Sequence, residues 1–521
     1  MRYLSSPALE RYEAEEIPAA FGKHYSPGGA VALVDDAFID APGLDMPLLD
    51  GETLAIAPDT VSWTFLTRRE AAAVASLAAG ERASRLRDNW PCDALGPADE
   101  FVARLFRRGV VRLNGETTVD PTIFQESANY REGHLVELLL TEKCNLACGY
   151  CLAGAAQRMP HMSDQVAQRT VDLAYAINNR DGFAFEFSGG EPFLRYREMK
   201  NLVNYIRNHP ERNGRSAHIR VQTNCTLLDE ERVAWLRDNE IGVGLSMDGN
   251  PWSHNQSRPQ VNGRESFTKV MRGLDLLQRA GISFGVLIVL NRSNVGSVES
   301  LVDFLIENGV RNIKLNPVAY LGDARSNWDA LGLHQDEVIA YFQTLAKYLV
   351  ELNCDIFEAN LFDMTRHLVS KQRHSRCLRG HCGAGDSFSV VAADGSIFPC
   401  GRSTQSPDLK LGSVLTETHS LNAPALHNPH IQAIRARRPH TLEDCATCTY
   451  RELCQAGCSA QAFERYGTVM HKTPECAFNK TMYPFLMRWL SFDERAVAYF
   501  NRSYFREGGS IVIRRRQFLP D

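Results

Sequence analysis

Eleven of the fourteen cysteines fall into two groups whose spacing suits metal chemistry better than disulfides. Cys144, Cys148 and Cys151 stand within eight residues. Cys377, Cys382, Cys400, Cys445, Cys448, Cys454, Cys458 and Cys476 fill a later stretch, and only Cys92, Cys225 and Cys354 stand apart. Three thiolates on one tight loop can hold three irons of a four-iron cubane, leaving the fourth iron open to another molecule. The same loop could bind zinc, with His161 or His134 as a fourth ligand. The later eight make two full sets of four. Cys445-x2-Cys448 is also a zinc-ribbon spacing.

Other residues suited to chemistry sit where apolar runs stop. They are Ser188-Gly189-Gly190-Glu191-Pro192, Thr223-Asn224, Ser246-Met247-Asp248-Gly249 and Asn316-Pro317. The runs before them read as strands: 136–140, 183–187, 218–222, 241–245, 282–290 and 312–315. Five helical patterns separate them, over 166–177, 199–206, 228–236, 270–277 and 298–306. Buried strands alternating with helices imply an α/β domain with a parallel sheet, here a partial (β/α)6 barrel. An open doubly wound sheet is the alternative. Loops at one end of either sheet converge on one cavity, so the marked positions share a site.

The remaining chain divides around this core. Residues 1–130 carry short strands near 31–34, 52–57 and 110–113. Thr67-Arg68-Arg69-Glu70 reads as a capping box opening a helix to residue 79, and a second helix spans 98–108. The layout suggests a winged-helix-like unit or a simple cap. The barrel takes 131–330 and a helical bridge 331–376. The cysteine-rich part, 377–480, has few apolar runs and needs crosslinks or metals to hold its loops. The tail, 481–521, starts with a helix over 482–490 and ends in a basic strand. With 57 basic against 62 acidic residues there is no general positive field for nucleic acid. The charged N-terminus lacks a signal peptide's apolar stretch, and no run of apolar residues suits a membrane span. Nucleic-acid and membrane partners are therefore not expected, and the cytoplasm is the expected compartment.

Cys144-x3-Cys148-x2-Cys151, with Tyr150 before the last cysteine, resembles the radical S-adenosylmethionine (SAM) superfamily over about 134–320. The resemblance implies a 4Fe-4S cluster on these three cysteines. SAM on the open iron would be cleaved to a 5'-deoxyadenosyl radical. It also implies SAM contacts from Tyr150, Gly189, Gly190, Glu191, Asn224, Ser246, Asp248 and Arg258, with Glu191 receiving the methionine ammonium and Ser246 and Asp248 on the ribose side. Cys225 departs from the family, which has glycine there.

Residues 377–480 resemble the SPASM extension of that superfamily, which implies two auxiliary 4Fe-4S clusters and so three in all. Carried over, Cys377, Cys382, Cys400 and Cys458 hold the first; Cys445, Cys448, Cys454 and Cys476 hold the second. Sulfatase-maturing members carry an aspartate where Gly401 stands. The N-terminal layout resembles a precursor-peptide recognition element. Cys382-Gly383-Ala384-Gly385 and the helical tail resemble maturases of His-Xaa-Ser-type peptide systems. The expected function is oxidative crosslinking of a ribosomally made precursor peptide with a leader, with electrons from a donor such as flavodoxin or ferredoxin. The rivals are epimerisation with Cys354 or Cys225 as hydrogen donor, a small-molecule radical enzyme, and a noncatalytic metal-bearing binding protein. No catalytic base is identified; Arg402, Asp408 and Glu417 follow Cys400 with nothing to choose between them.

Overall fold

The computed structural model describes residues 2–4, 33–91, 95–118, 133–154, 160–178, 182–370, 377, 382–506 and 513–515. Cys92 and the start of the 31–34 strand lie outside them.

One sheet of ten strands organises the chain. Its strands are β1 (His134–Thr141), β2 (Phe183–Gly189), β3 (Ala217–Thr223), β4 (Gly242–Ser246), β5 (Phe284–Leu290), β6 (Asn312–Pro317), β7 (Phe357–Glu358), β8 (Phe388–Val391), β9 (Ser396–Phe398) and β10 (Gly412–Ser413). The spatial order is β7-β6-β5-β4-β3-β2-β1-β8-β9-β10. β1 to β7 are parallel neighbours in chain order. That order never reverses, which excludes the doubly wound alternative. The two ends of the sheet do not pair, so it stays open.

The cysteine-rich region is part of this sheet. β8 joins β1 in parallel, and β9 and β10 continue antiparallel. Reading the sequence as six strands followed by a separate domain missed this join. A short strand pairing across some 250 residues has no local signature.

Alternation along the strands separates two faces. In β2, Phe183, Phe185 and Phe187 are buried, and the first two meet Tyr175 of the helix Asp164–Tyr175 edge-on and tilted. Val136, Leu138 and Leu140 of β1 join the same core. The opposite, inner face is polar. Glu137 pairs in register with Glu186, and Glu186 with Arg220, to which it forms an ion pair. Nearer the strand ends, Gln222 Nε2 donates to Ser246 Oγ at 2.9 Å.

The N-terminal unit has its own core, built on Ile39, Leu77, Phe101 and Phe106. A hairpin, Glu52–Ala57 with Ser62–Leu66, leads into the helix Arg68–Leu77. Its capping box is present: Thr67 Oγ1 accepts from the Glu70 N–H, and Glu70 accepts from the Thr67 N–H. The helix Ala98–Arg107 is followed by Gly109 at φ +71° and the strand Arg112–Leu113. The other face of the hairpin rests on the helix Cys476–Phe492, where the Phe65 and Phe492 rings stand 5.2 Å apart. The bridge helix is Gln335–Glu351. The basic end forms a short strand, Ile513–Arg515, paired with Arg2–Leu4. Among the described residues no helix is long and apolar enough to cross a membrane.

Candidate active site

The Cys144 loop begins where β1 ends. Thr141 Oγ1 accepts from the Lys143 N–H at 3.0 Å and contacts His161 Nδ1 at 2.7 Å. His134, at the other end of β1, contacts Ser389 Oγ at 2.9 Å. Both histidines are thus engaged with hydroxyls rather than with the thiols. Cys144 Sγ accepts from the Leu146 N–H at 3.4 Å and from Asn224 Nδ2 at 3.6 Å. The far side is tied to the loop after β6: Asn327 donates to the Gly149 carbonyl at 2.8 Å, and the Asp323 N–H to that of Cys151 at 2.9 Å. Burial pushes the Cys144 thiol up to about 11 and Cys148 up to about 12. Deprotonating them calls for a strong local positive charge, such as bound iron.

Gly189 and Gly190 are needed for packing between two backbones. A Cβ on Gly189, which sits at φ +117°, would lie 2.2 Å from the Thr141 carbonyl oxygen. One on Gly190 would lie 2.0 Å from that of Lys143. Their absence lets the Gly190 N–H reach Thr141 at 2.7 Å and the Glu191 N–H reach Lys143 at 3.0 Å. The end of β2 thereby fixes the cysteine loop.

Glu191 is fully buried. Its Oε1 accepts from Thr223 Oγ1 at 2.8 Å and the Phe193 N–H at 3.1 Å; its Oε2 accepts from the Asn224 N–H at 2.7 Å. Burial raises its carboxyl to about 7 against these hydrogen bonds. The side chain holds the end of β3 and turns Asn224 toward Cys144.

Cys225 keeps the backbone of the glycine it replaces, at φ +67°. Its thiol is buried against the helix Phe267–Arg279, where a Cβ on Gly273 would lie 2.6 Å from the sulfur. It therefore belongs to the apolar core. Cys354 contacts the Leu349 carbonyl at 3.8 Å, at the end of the bridge helix.

Asp248 is also fully buried. It receives the Tyr150 hydroxyl, Arg258 (Nη2 to Oδ1, 3.2 Å) and the Val289 N–H at 3.0 Å. Arg258 lies over the Tyr150 ring, 5.3 Å from its centroid. Its charge survives desolvation because the Asp248 carboxylate acts against the burial. Sequence reasoning missed the histidine behind this network. His254, from the helix Pro251–Ser257, accepts from the Asp248 N–H at 3.3 Å and contacts Ser266 at 2.9 Å. Burial, assisted by Arg258, holds it neutral by lowering it to about 4. Ser246 is nearly buried and faces Gln222.

The later cysteines separate into two neighbourhoods. Cys382 is pushed up by burial first and then by Cys377, Cys400 and Cys458. Cys454 is raised by burial and then by Cys476, Cys445 and Cys448. Cys445, Cys448, Cys454 and Cys476 line one cavity with Arg451, Lys472 and Lys480 at hand. The cysteines acting on Cys382 and on Cys454 are the partners that the resemblance implies for each. Arg437 lies between the two sets: Cys382 and Cys458 act on its charge from one side, Cys445 and Cys454 from the other. Asp408 is exposed, and Glu417 accepts from the N–H groups of Thr418 and His419 in its own loop.

Residues 138–305 match the family model of the radical SAM superfamily. The chain carries a radical SAM domain. It is 27% identical over 327 residues to a cysteine-type anaerobic sulfatase-maturating enzyme of Clostridium perfringens, covering 60% of this chain and 85% of that one. A serine-type enzyme of Bacteroides thetaiotaomicron is 25% identical over 350 residues, covering 62% and 81%. The fold is similar to native anSMEcpe with bound AdoMet and Cp18Cys peptide, at TM-score 0.60 and 22% identity, over 71% of this chain and 99% of that one. It is also similar to Streptococcus suis SuiB bound to precursor peptide SuiA, at TM-score 0.51 and 14% identity, over 85% and 99%.

In this radical SAM domain the inner face passes under the Cys400 loop. The sequence run over 136–140 looked wholly apolar apart from Glu137, so that carboxylate went unremarked. Its Oε1 accepts from Ser188 Oγ at 2.5 Å, and its Oε2 would lie 3.0 Å from a Cβ placed on Gly401.

Proposed function

We propose that this chain is a radical SAM maturase that installs an oxidative crosslink in a ribosomally made precursor peptide. Cys144, Cys148 and Cys151 would hold a 4Fe-4S cluster with SAM on its open iron. The group supplies a 5'-deoxyadenosyl radical that takes one unactivated hydrogen. Asn224, Tyr150, Asp248 and Arg258 keep the loop and its surroundings rigid. Cys377, Cys382, Cys400 and Cys458, and then Cys445, Cys448, Cys454 and Cys476, would hold two auxiliary clusters in a SPASM-type domain. The partner that primes the first cluster is a reducing electron donor such as flavodoxin or ferredoxin, in the cytoplasm.

One observation carries this reading. The Cys144 loop and the Cys400 loop both adjoin a single polar inner face, lined by Glu137, Ser188, Gln222 and Ser246. A peptide there would meet a radical source and an electron acceptor together. The separate core of residues 33–113 supports a leader-docking unit of winged-helix type. Relatives named as sulfatase-maturating enzymes support a protein or peptide substrate. Gly401, which lacks their aspartate, favours a different reaction.

Anaerobic co-expression with the short peptide encoded beside this gene, followed by mass spectrometry, tests it. The peptide should lose two hydrogens, and a Cys144→Ala control should not change it. An unchanged mass with the wild-type protein refutes crosslinking of that peptide. Deuterium uptake from heavy water with no other change points to epimerisation instead.

A further inference from the structure

Arg437 and Arg402 both carry charge out of solvent in the cysteine-rich region, and the fold treats them differently. Arg437 is spent on backbone: its Nη1 and Nη2 donate to the carbonyls of Gly457, Ala456 and His471. Arg402 holds nothing. Its Nη1 is shut off from solvent and meets no hydrogen-bond partner among the described residues.

The surroundings of Arg402 are rich in sulfur. It lies on the short helix Gly401–Ser403, which wraps Cys400: the Ser403 N–H donates to Cys400 Sγ, and Ser403 Oγ accepts from the Cys400 N–H at 3.3 Å. That helix packs against the helix Ser459–Tyr466, which Cys458 opens. Burial disfavours the Arg402 charge; the groups that favour it are Cys458, Glu475, Cys377 and Cys400. Glu475 forms no ion pair with it, its Oε1 accepting instead from Gln461 Nε2 at 3.0 Å. The cysteines are left, and they can offset a cation only as thiolates. Burial pushes Cys400 up to about 12, so by itself it stays a thiol. A buried cation without an anion is strongly disfavoured. An iron centre on these cysteines deprotonates them and so supplies the missing anion.

We propose that Arg402 is the charge partner of the centre held by Cys377, Cys382, Cys400 and Cys458, and that it raises the reduction potential of that centre. The inference rests on the reading of these four as ligands of a 4Fe-4S cluster. Four thiolates outweigh the charge of the iron and sulfide core, so the centre is an anion, and an added electron makes it more so. A fixed cation beside the sulfurs favours the reduced form, and low-dielectric surroundings strengthen its field. The two Nη groups of Arg437 are held by carbonyls, whereas Nη1 of Arg402 is available to a sulfur. Arg402 is thus a positioning residue that acts through the iron centre and takes no proton from a substrate.

The test uses the full-length protein, reconstituted anaerobically. Redox titration followed by electron paramagnetic resonance gives a midpoint for each centre. The signals lost in Cys144→Ala and in Cys458→Ala assign the first cluster and the first auxiliary set. Arg402→Gln removes the charge. Expected are unchanged iron and sulfide, unmoved midpoints for the other two centres, and a reduced-to-oxidised ratio for the first auxiliary centre about tenfold lower at a fixed potential, which is about 59 mV for one electron. Arg402→Lys restores the charge and should return most of that ratio. Iron lost from Arg402→Gln but kept by Arg402→Lys also supports the inference, the charge then being needed to hold the centre at all. An unmoved midpoint in Arg402→Gln overturns it while leaving the ligand assignment intact. So does equal loss of iron from both variants, which makes the side chain a packing element. If Cys377→Ala and Cys458→Ala each leave both auxiliary signals in place, the ligand reading falls, and this inference with it.

Discussion

Replacing Arg437 by glutamine should strip iron from both auxiliary sets at once. The buried guanidinium donates from Nη1 to the Gly457 carbonyl at 2.9 Å, and from Nη2 to the carbonyls of Ala456 and His471, each at 2.7 Å. The first two belong to the turn joining Cys454 of one set to Cys458 of the other. Gln455, Ala456 and Gly457 in that turn have φ of 52°, 60° and 67°. A left-handed residue other than glycine costs roughly 1–2 kcal/mol, so Gln455 and Ala456 together oppose the turn by about 2–4 kcal/mol. Hydrogen bonds from a charged donor contribute about 1.5–3 kcal/mol each, and glutamine can restore one, so the substitution removes roughly 3–6 kcal/mol. The loss matches or exceeds the strain it opposes. The turn should then relax and carry one ligand of each set out of place. Iron and sulfide analysis with electron paramagnetic resonance after reconstitution should find only the cluster on Cys144, Cys148 and Cys151. Retention of either auxiliary cluster at full occupancy would refute the reasoning, because both depend on the same turn.

Gly190→Ala forces a Cβ to within 2.0 Å of the Lys143 carbonyl oxygen. It should cost the first cluster and spare the auxiliary pair, a difference that iron counts per chain will resolve. Cys225→Ser should leave iron content unchanged, since the thiol packs in the core against Gly273; a lost cluster would make Cys225 a ligand after all. Glu358 on β7 gives a pH test away from the iron sites. Burial pushes its carboxyl from 4.5 up to about 7, against hydrogen bonds from Leu361, Leu315 and Asn360. The folded chain thus binds this proton more tightly than the unfolded one, so stability from this group is full below pH 4.5 and is lost as pH rises through 7. The slope should approach about 1.4 kcal/mol per pH unit inside that window. Denaturant unfolding of wild type and Glu358→Gln at pH 5 and 7 checks it, and a pH-independent difference between them would count against the assignment.

The strand order and the two cysteine-rich stretches were legible because both are local signals, whereas the division of the later eight cysteines into two interleaved sets came from the resemblance. Phe183, Phe185 and Phe187 alternate with smaller or polar residues, and each cysteine cluster has its own spacing. The join of β8 to β1 was not legible, since nothing in Phe388–Val391 names a partner so far back in the chain. That join also explains why the inner face of β1 was misread. Leu139 points inward yet is buried, because Val390, Ala392 and Phe398 of the cysteine-rich region cover it. With that position apolar, the two-residue alternation of β1 disappears and Glu137 reads as an interruption in a core strand.

The roles of the acidic residues follow from the same limitation. Glu191 and Asp248 stand in recognisable motifs, and motif reading gives both to the cofactor. The geometry gives them first to the protein. Glu191 holds the end of β3 beside Cys144, and Asp248 neutralises Arg258 under Tyr150. A carboxylate already satisfied by fixed donors positions what surrounds it but has little capacity left to take a proton. Glu137 stands in no motif. It has one hydroxyl donor, a like charge in register and a glycine opposite. Burial and the like charge of Glu186 therefore favour its protonated form. The site therefore divides its acids by how completely the fold has already paired them.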